Sequence, residues 1–583
     1  MASWRPRAVV LVFTGAAALL LLRLGALPLM EPDEARNAEV GREMMESGRW
    51  IVPTYIGLPR LDKPAFYFKL VALSLSAFGE NEGAARLPSA LSGLALLAAT
   101  FLFGRRVYGQ RTAVMAVAIV VTLPLFLGFA RLVILDMSVT LFVCLAVFAG
   151  FLAEEQDGRT RSAWHMAGAG AVAMATLMKG PIGFILPWLV LGSFFAIDRR
   201  PRAILRMLAP ANLVVLFGLV LPYFIALSLS CPDFPRYGIL VESLGRVTSD
   251  VFHRGQPFYY YVPFLAAACF AWSVLLPESI AAAWRQRRRW SRADRLCVAW
   301  LCAVLTFFSL PQTKQPGYVL SMAIPLGLLL ARLFAAAIDN PAGRAARAVR
   351  RGSAALAVLS AALAFAVLMV MARPLDAGRW LNANHEHVAV MLPHLAPLAA
   401  AGLLLAAAAA CAAARRGSAW FSFSVFAAFL PIMALPGFTA VVEYAGIRSG
   451  RDIAQRVPTL PVGTELVCVN CFPVSLPFYL KRPVTLVPED GAELPSNYIA
   501  FALANATVWP TNVVRRRDFA QWLSKCDHPL YLMGQGSSEA MIRQMAAANH
   551  ASIDTFSKGY VGMFLDRPSA DQEPIGSNEL LEP

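Results

Sequence analysis

Charge is scarce in this sequence. Asp, Glu, Lys and Arg supply 15% of its 583 residues, against 57% apolar residues and a mean hydropathy of +0.55. A soluble fold normally carries about a quarter of its residues charged, so this composition excludes one and places the chain in a membrane. Histidine and cysteine are also few, seven and nine respectively, and no second C-x-x-C accompanies Cys468 and Cys471 as a zinc ribbon would require. No G-x-G-x-x-G and no Walker-type loop occurs, which removes the usual cradles for nucleotide phosphates. An internal repeat, frequent in transporters, is missing as well. The apolar run from Val9 to Leu22, behind Arg5 and Arg7, has no A-x-A-like cleavage site after it and is predicted to be an uncleaved first span.

What is present is a series of apolar stretches, each near the roughly 20 residues that a helix needs to cross a bilayer. The expected fold is an all-α polytopic membrane protein of about thirteen spans with a C-terminal soluble α/β domain. The spans are expected at 8–29, 88–104, 112–130, 133–152, 164–178, 182–197, 207–229, 259–277, 296–310, 317–335, 353–372, 390–413 and 419–439. Residues 1–440 would form the membrane domain and 441–583 the soluble one.

The basic excess, 52 Lys and Arg against 37 Asp and Glu, follows this topology. With the N-terminus inside, alternate loops carry Arg105, Arg106 and Arg111; Arg159 and Arg161; Arg199, Arg200, Arg202 and Arg206; a cluster from Arg285 to Arg295; Arg344 to Arg351; and Arg415 with Arg416. That is the positive-inside pattern. The arginines therefore report orientation, imply no nucleic acid, and leave the C-terminal domain outside.

Long outer loops are expected at 30–87 and 231–258, with a third at 372–389. In the first, Asp33 to Ser47 reads as a helix, with Asp33 as N-cap and Gly48 as its end. A second helical piece from Ala65 to Phe78 is apolar enough to lie at the interface. In the tail, Glu465–Val469, Val484–Val487, Tyr498–Ala502 and Leu530–Met533 read as strands and Ser537–Ala548 as a helix. Cys468 and Cys471, with Cys526 and His528 downstream, permit a disulfide in an oxidising compartment or, with less support, a metal site.

Ionisable residues gather on the outer side: Asp33, Glu34 and Arg36, then Asp62 and Lys63, Arg131 and Asp136, Lys179, His253 and Arg254, and Lys314. Charge at a lipid boundary is costly and has a partner or a task. Carboxylates mixed with cations suit a site that binds a phosphate and does chemistry beside it. Each residue also has a plainer structural reading. Asp33 and Asp136 can cap helices, or Asp136 can pair with Arg131. Asp62-Lys63-Pro64 can be a solvated turn, Lys179 and Lys314 can snorkel, and His253 can be an ordinary loop residue.

The motifs Glu31-Pro-Asp33-Glu34-Ala-Arg36, Arg60-Leu-Asp62-Lys63-Pro64-Ala-Phe-Tyr67 and Arg86-Leu-Pro88-Ser89 follow the first span in that order. Further along come Arg131-Leu-Val-Ile-Leu-Asp136-Met, Met178-Lys179-Gly180-Pro181, Gln256-Pro257-Phe258-Tyr259-Tyr260-Tyr261 and Lys314-Gln315-Pro316-Gly317-Tyr318. Together they resemble the bacterial aminoarabinose lipid A transferases of the protein O-mannosyltransferase-like superfamily. The likeness is strong over the first 330 residues and weak in the tail, where Phe478-Tyr479-Leu480 and Arg482-Pro483 look typical.

The resemblance implies a GT-C fold in the bacterial inner membrane, with the N-terminus cytoplasmic and the C-terminal domain periplasmic. It implies a sugar donor carried on undecaprenyl phosphate and an inverting transfer of 4-amino-4-deoxy-L-arabinose to lipid A. It further implies that Asp33 is the principal catalytic carboxylate and Asp136 a second, with Lys63 and Arg254 on the donor phosphate. Glu34, Tyr67, Lys179 and Lys314 would line the substrate site, and Asp62 and His253 would lie near a divalent metal ion. The same motifs also fit transfer to a protein hydroxyl or another envelope glycan. A lipid-linked sugar transporter is the reading from a different class, which the one-sided charges and the missing repeat disfavour.

Overall fold

In lipid a backbone must satisfy its own hydrogen bonds, so long apolar stretches fold as helices. The computed structural model shows this outcome, and it describes residues 6–238, 255–285, 287–372, 385–482, 484–489, 493–494, 496–505 and 509–566. Among these, six helices are long and apolar enough to cross a membrane: Glu82–Tyr108, Asp136–Ala153, Pro210–Ser230, Pro316–Asp339, Arg344–Ala372 and Ala396–Arg416. Three bent pairs raise the number to nine if each is one span, the sharpest being Tyr261–Ala268 with Trp272–Ala281 at 116°. The chain is a multi-pass membrane protein. Helices also stand at Pro6–Leu21 and Pro181–Ile197, shorter than the test admits.

The chain divides into two compact units. The first comprises Met1–Leu24, Lys63–Tyr67 and Arg86–Glu443. Its centre is a helical hairpin in which Asp136–Ala153 packs against Gly158–Lys179 and Pro181–Ile197. Small residues allow the close approach: a Cβ on Gly168 would sit 3.4 Å from that of Ala149, and one on Gly150 only 2.5 Å from Leu191. Arg131, a candidate partner for Asp136, instead donates to the carbonyls of Leu19 (2.6 Å) and Leu22 (2.9 Å). It caps the end of the first helix, where unpaired carbonyls and the helix dipole favour a cation.

The second unit comprises Gly25–Asp62, Phe68–Ala85 and Tyr444–Pro583. The helix Asp33–Ser47 has the predicted bounds and ends on Gly48 in the left-handed conformation (φ 65°). Asp33 is its first residue and not its cap; Pro32 holds that place, without a side-chain cap bond. Inside this helix Arg42 and Glu39 form a buried pair at 2.7 and 2.8 Å. Burial pushes the Glu39 carboxyl up to about 7 even with the guanidinium beside it.

The tail carries a five-stranded sheet in the order β4-β3-β5-β7-β6, following a short hairpin of β1 (Thr54–Tyr55) and β2 (Leu58–Pro59). The strands are β3 (Glu465–Val469), β4 (Thr485–Val487), β5 (Leu530–Gly534), β6 (Ile553–Thr555) and β7 (Val561–Leu565). β3 runs parallel to β4 and β5, while β7 is antiparallel to β5 and β6. The helix Ser537–Ala548 packs Met541, Ile542 and Ala546 onto Val467, Leu532 and Met563. Tyr498–Ala502, expected as a strand, lies in the helix Asn497–Asn505. The reason is a capping arrangement: Ser496 Oγ accepts the Ile499 N–H, and Asp62 accepts the Tyr498 N–H at 3.0 Å. Cys468, Cys471 and Cys526 are free thiols in this structure, and Cys471 Sγ contacts the Met533 carbonyl.

Removing one member of the Glu39–Arg42 pair would strand a buried charge, so Arg42→Met is expected to cost about 3 kcal/mol. Thermal unfolding of the purified chain should begin at a lower temperature than in the parent. An unchanged transition would show that the pair carries no stability.

Candidate functional site

In the first unit, three of the sequence motifs converge. Asp136 opens the helix Asp136–Ala153 and Lys179 closes Gly158–Lys179. A carboxylate at a helix start and an ammonium at a helix end both suit the helix dipoles. The antiparallel packing brings them together, with Lys179 Nζ 2.5 Å from Asp136 Oδ1 and both side chains largely enclosed. Lys179 Nζ also lies 5.2 Å above the ring of Tyr318, near enough for a cation–π attraction. Tyr318 in turn stacks on Phe308 at 4.8 Å.

Two glycines make this possible. Gly180 follows Lys179 with φ 74° and ψ −147°, a conformation essentially confined to glycine, and it turns the chain directly into Pro181. Gly317 lies so close to Asp136 that a Cβ there would fall 2.3 Å from Oδ1. The Gly-Tyr dipeptide of the Lys314-Gln-Pro-Gly-Tyr motif thus makes room for the carboxylate with one residue and offers a ring to the ammonium with the next.

Lys314 has a different place. It is buried, and its Nζ donates to the carbonyls of Gln256 (2.9 Å) and Pro311 (2.6 Å); burial lowers its pKa. Two of its three donor positions are spent on backbone, fastening Gln256-Pro257 to the turn before Pro316. Tyr261 reinforces this link through bonds between its hydroxyl and Gln315. His253 and Arg254 lie outside the described residues.

Lys63 is partly buried on a segment pinned on both sides. The Ala65 N–H donates to the Tyr223 hydroxyl at 2.7 Å, and the Tyr67 hydroxyl lies 2.8 Å from that of Ser89. Tyr67, expected at the substrate, is wholly enclosed and supports the segment from within. Arg86, also enclosed, donates to the Leu24 carbonyl at 2.9 Å.

In the second unit, Asp33 keeps half of its side chain exposed and pairs with Arg36 one turn on. Glu34 is buried, and its carboxylate accepts the Met30 N–H at 2.9 Å, tying the preceding loop to the helix. Glu31, which the sequence offered only as part of a motif, accepts the Ser475 N–H (2.9 Å) and hydroxyl (2.8 Å) and pairs with Lys558. Asp62 is committed to protein donors: Ser496 Oγ at 2.6 Å, the Tyr498 N–H and Arg60 Nε at 3.3 Å. A carboxylate so engaged caps a helix and does not suit a metal ion. Among the described residues no group of three or more His, Cys, Asp or Glu could hold one.

A multi-pass helical scaffold with acid–cation pairs at the ends of its helices defines the class, the GT-C membrane glycosyltransferases. A family model described as dolichyl-phosphate-mannose-protein mannosyltransferase matches residues 62–225. The arabinosyl transferase named for undecaprenyl phosphate-α-4-amino-4-deoxy-L-arabinose in Aeromonas salmonicida is 32% identical over 66% of this chain and 69% of its own. The protein of the same name from Pseudomonas savastanoi pv. phaseolicola is 33% identical over 58% of this chain, and the match spans 63% of that relative's length. The crystal structure of ArnT from Cupriavidus metallidurans bound to undecaprenyl phosphate superposes with a TM-score of 0.80 at 25% identity, covering 96% of this chain and 98% of that one. The chain belongs to the family of undecaprenyl phosphate-aminoarabinose arabinosyl transferases.

Gly317→Ala is expected to break the Asp136–Lys179 pair by placing a methyl group against the carboxylate. Turnover of purified protein should fall by about tenfold or more, as for a displaced charged group in a reaction site. Parent-like turnover would mean that the close approach has no functional weight. Gly180→Ala should cost about 1–3 kcal/mol through backbone strain, read as a lowered unfolding temperature; an unshifted transition would contradict the strain.

Proposed function

We propose that this chain transfers 4-amino-4-deoxy-L-arabinose from undecaprenyl phosphate to a phosphate of lipid A at the periplasmic face of the bacterial inner membrane. The observation that carries the reading is the family membership, with the motifs of that family meeting at Asp136, Lys179 and Gly317. The proposed setting has thirteen spans, a cytoplasmic N-terminus, residues 1–440 as the catalytic membrane domain and residues 441–583 as a periplasmic α/β domain. Arginine-rich alternate loops support that orientation.

A sugar on a polyprenyl phosphate is already activated, so transfer needs no nucleotide. As the anomeric carbon–oxygen bond breaks, negative charge grows on the leaving phosphate, and fixed cations lower the barrier most when they already face that oxygen. Lys63 and Arg254 are the proposed phosphate ligands. Lys179, held by Asp136 and backed by Tyr318, is a cation fixed in place before substrate arrives. A single displacement inverts the anomeric centre.

The task of Asp33 depends on the acceptor. A phosphate monoester has a second pKa of about 6, so near neutral pH it is mostly a dianion and needs no general base. Asp33, half-exposed and paired with Arg36, would then orient the acceptor or hold the amino group of the sugar. A hydroxyl acceptor would require Asp33 to take its proton. The match of residues 62–225 to a protein mannosyltransferase model favours this second reading, in which the acceptor is a protein hydroxyl.

With purified lipid donor and acceptor, Asp33→Asn should abolish transfer while leaving expression and detergent behaviour unchanged. Near-normal turnover would reject Asp33 as catalytic. Lys63→Ala should weaken donor binding more than acceptor binding, and equal donor affinity in mutant and parent would sink its phosphate role. Donor consumption with lipid A but not with a hydroxyl-bearing peptide separates the two acceptor classes.

A further inference from the structure

The hairpin that joins Asp136 to Lys179 has a second charged end. Its helices hold 18 and 22 residues, about 27 and 33 Å at 1.5 Å per residue, so their opposite ends lie about one membrane thickness away. At that far end a recess of about 460 Å³ is lined by Glu154, Arg161, Arg199, Arg200, Arg202 and Arg206. Five guanidinium groups face one carboxylate. Glu154 is already engaged by Arg206 at 2.5 Å and by His165 at 3.2 Å, Arg161 is paired with Asp157, and Arg200 lies 3.5 Å from Asp198. Arg199 and Arg202 have no acidic partner among the described residues. The recess therefore carries an unbalanced positive charge with planar donors suited to phosphate oxygens.

A narrow crevice of about 30 Å³ adjoins it, lined by Val172, Trp188, Leu191, Asn212, Leu213 and Leu216 and too small for an acyl chain. His165 lines that crevice too and bonds Glu154 of the recess, so the two spaces share a wall. The Trp188 indole N–H, buried, has no acceptor among the described residues. Around the recess Ile197, Leu205, Leu208 and Val214 stand 53%, 67%, 45% and 71% exposed. Leu205 sits on the short helix Pro201–Met207, with Arg202 and Arg206 spaced i, i+4 on the same helix. Free phosphate would have no use for this apolar surround.

We infer that the arginine recess forms a binding site for an anionic glycerophospholipid, with the phosphate at Arg199 and Arg202 and an acyl chain along the exposed Leu205, Leu208 and Val214. The site lies at the end of the hairpin opposite Asp136 and Lys179. It requires only that the chain sit in a membrane, and it stands apart from the proposed transfer reaction. Basic loops at an inner leaflet attract anionic lipid in general; a recess with exposed apolar side chains close by in sequence adds a defined place for one molecule.

The test is native mass spectrometry of the full chain in detergent, titrated with dioleoyl phosphatidylglycerol, dioleoyl phosphatidylcholine or inorganic phosphate. The parent should retain the phosphatidylglycerol and not the phosphatidylcholine. Arg199→Gln with Arg202→Gln should weaken retention by about thirtyfold, while Arg344→Gln with Arg347→Gln, in another basic loop, should leave it unchanged. Equal loss in both double variants would reduce the effect to surface charge and overturn the site. Retention of phosphatidylcholine, or full displacement by inorganic phosphate, would overturn it also. A phosphatidylglycerol carrying a photoactivatable acyl chain, used on the parent in nanodiscs, should cross-link to residues 197–216; labelling spread evenly over all spans would contradict the site.

Discussion

The ion pair between Asp136 and Lys179 is the constraint around which the first unit is arranged. Two charges enclosed at a membrane boundary are costly alone and tolerable together. Keeping them together fixes much else. The two helices must run antiparallel and end level, Gly180 must turn the chain within one residue, and Gly317 must leave its Cβ position empty. Tyr318 then covers the ammonium with its ring. The energetic worth of the pair for folding is modest at best, because desolvation offsets most of the attraction. Its proposed value lies in holding a cation at a defined point, which a reaction that builds negative charge can use without reorganisation.

The second unit uses carboxylates in another way. Asp62 and Glu31 are consumed by backbone and hydroxyl donors from residues more than 400 positions away in sequence, and Glu39 is locked to Arg42. These groups fold the unit. Asp33 differs from them in keeping half of its side chain exposed and, among the described residues, pairing with Arg36 on its own helix.

Much of this was legible in the sequence where the signal is local. Apolar length foretold the membrane helices, and the helix Asp33–Ser47 announced itself by its acidic start and Gly48. β3, β5 and the helix Ser537–Ala548 followed from run length and pattern. Where sequence and structure part, a partner distant in sequence is often the reason. Tyr498–Ala502 has strand-like apolar residues, but Asp62 and Ser496 cap it into a helix. Arg131 has an acid five residues on, yet the open carbonyls at Leu19 and Leu22 claim it. Tyr67 and Lys314 sit in motifs rich in chemistry, and the structure buries both in packing roles. β6 is short and only partly buried, so little periodicity marks it. Gly317 was visible within its motif; only the fold reveals that its missing side chain makes room for Asp136.

The central claim is that the Asp136–Lys179 pair serves transfer of an aminopentose to lipid A. Mass spectrometry of lipid A from cells that lack any other such transferase, expressing either the parent chain or Lys179→Met at equal membrane levels, tests it most directly. The account predicts lipid A carrying an added aminopentose with the parent and unmodified lipid A with the variant. Unmodified lipid A with the parent, or equal modification with both, would contradict it.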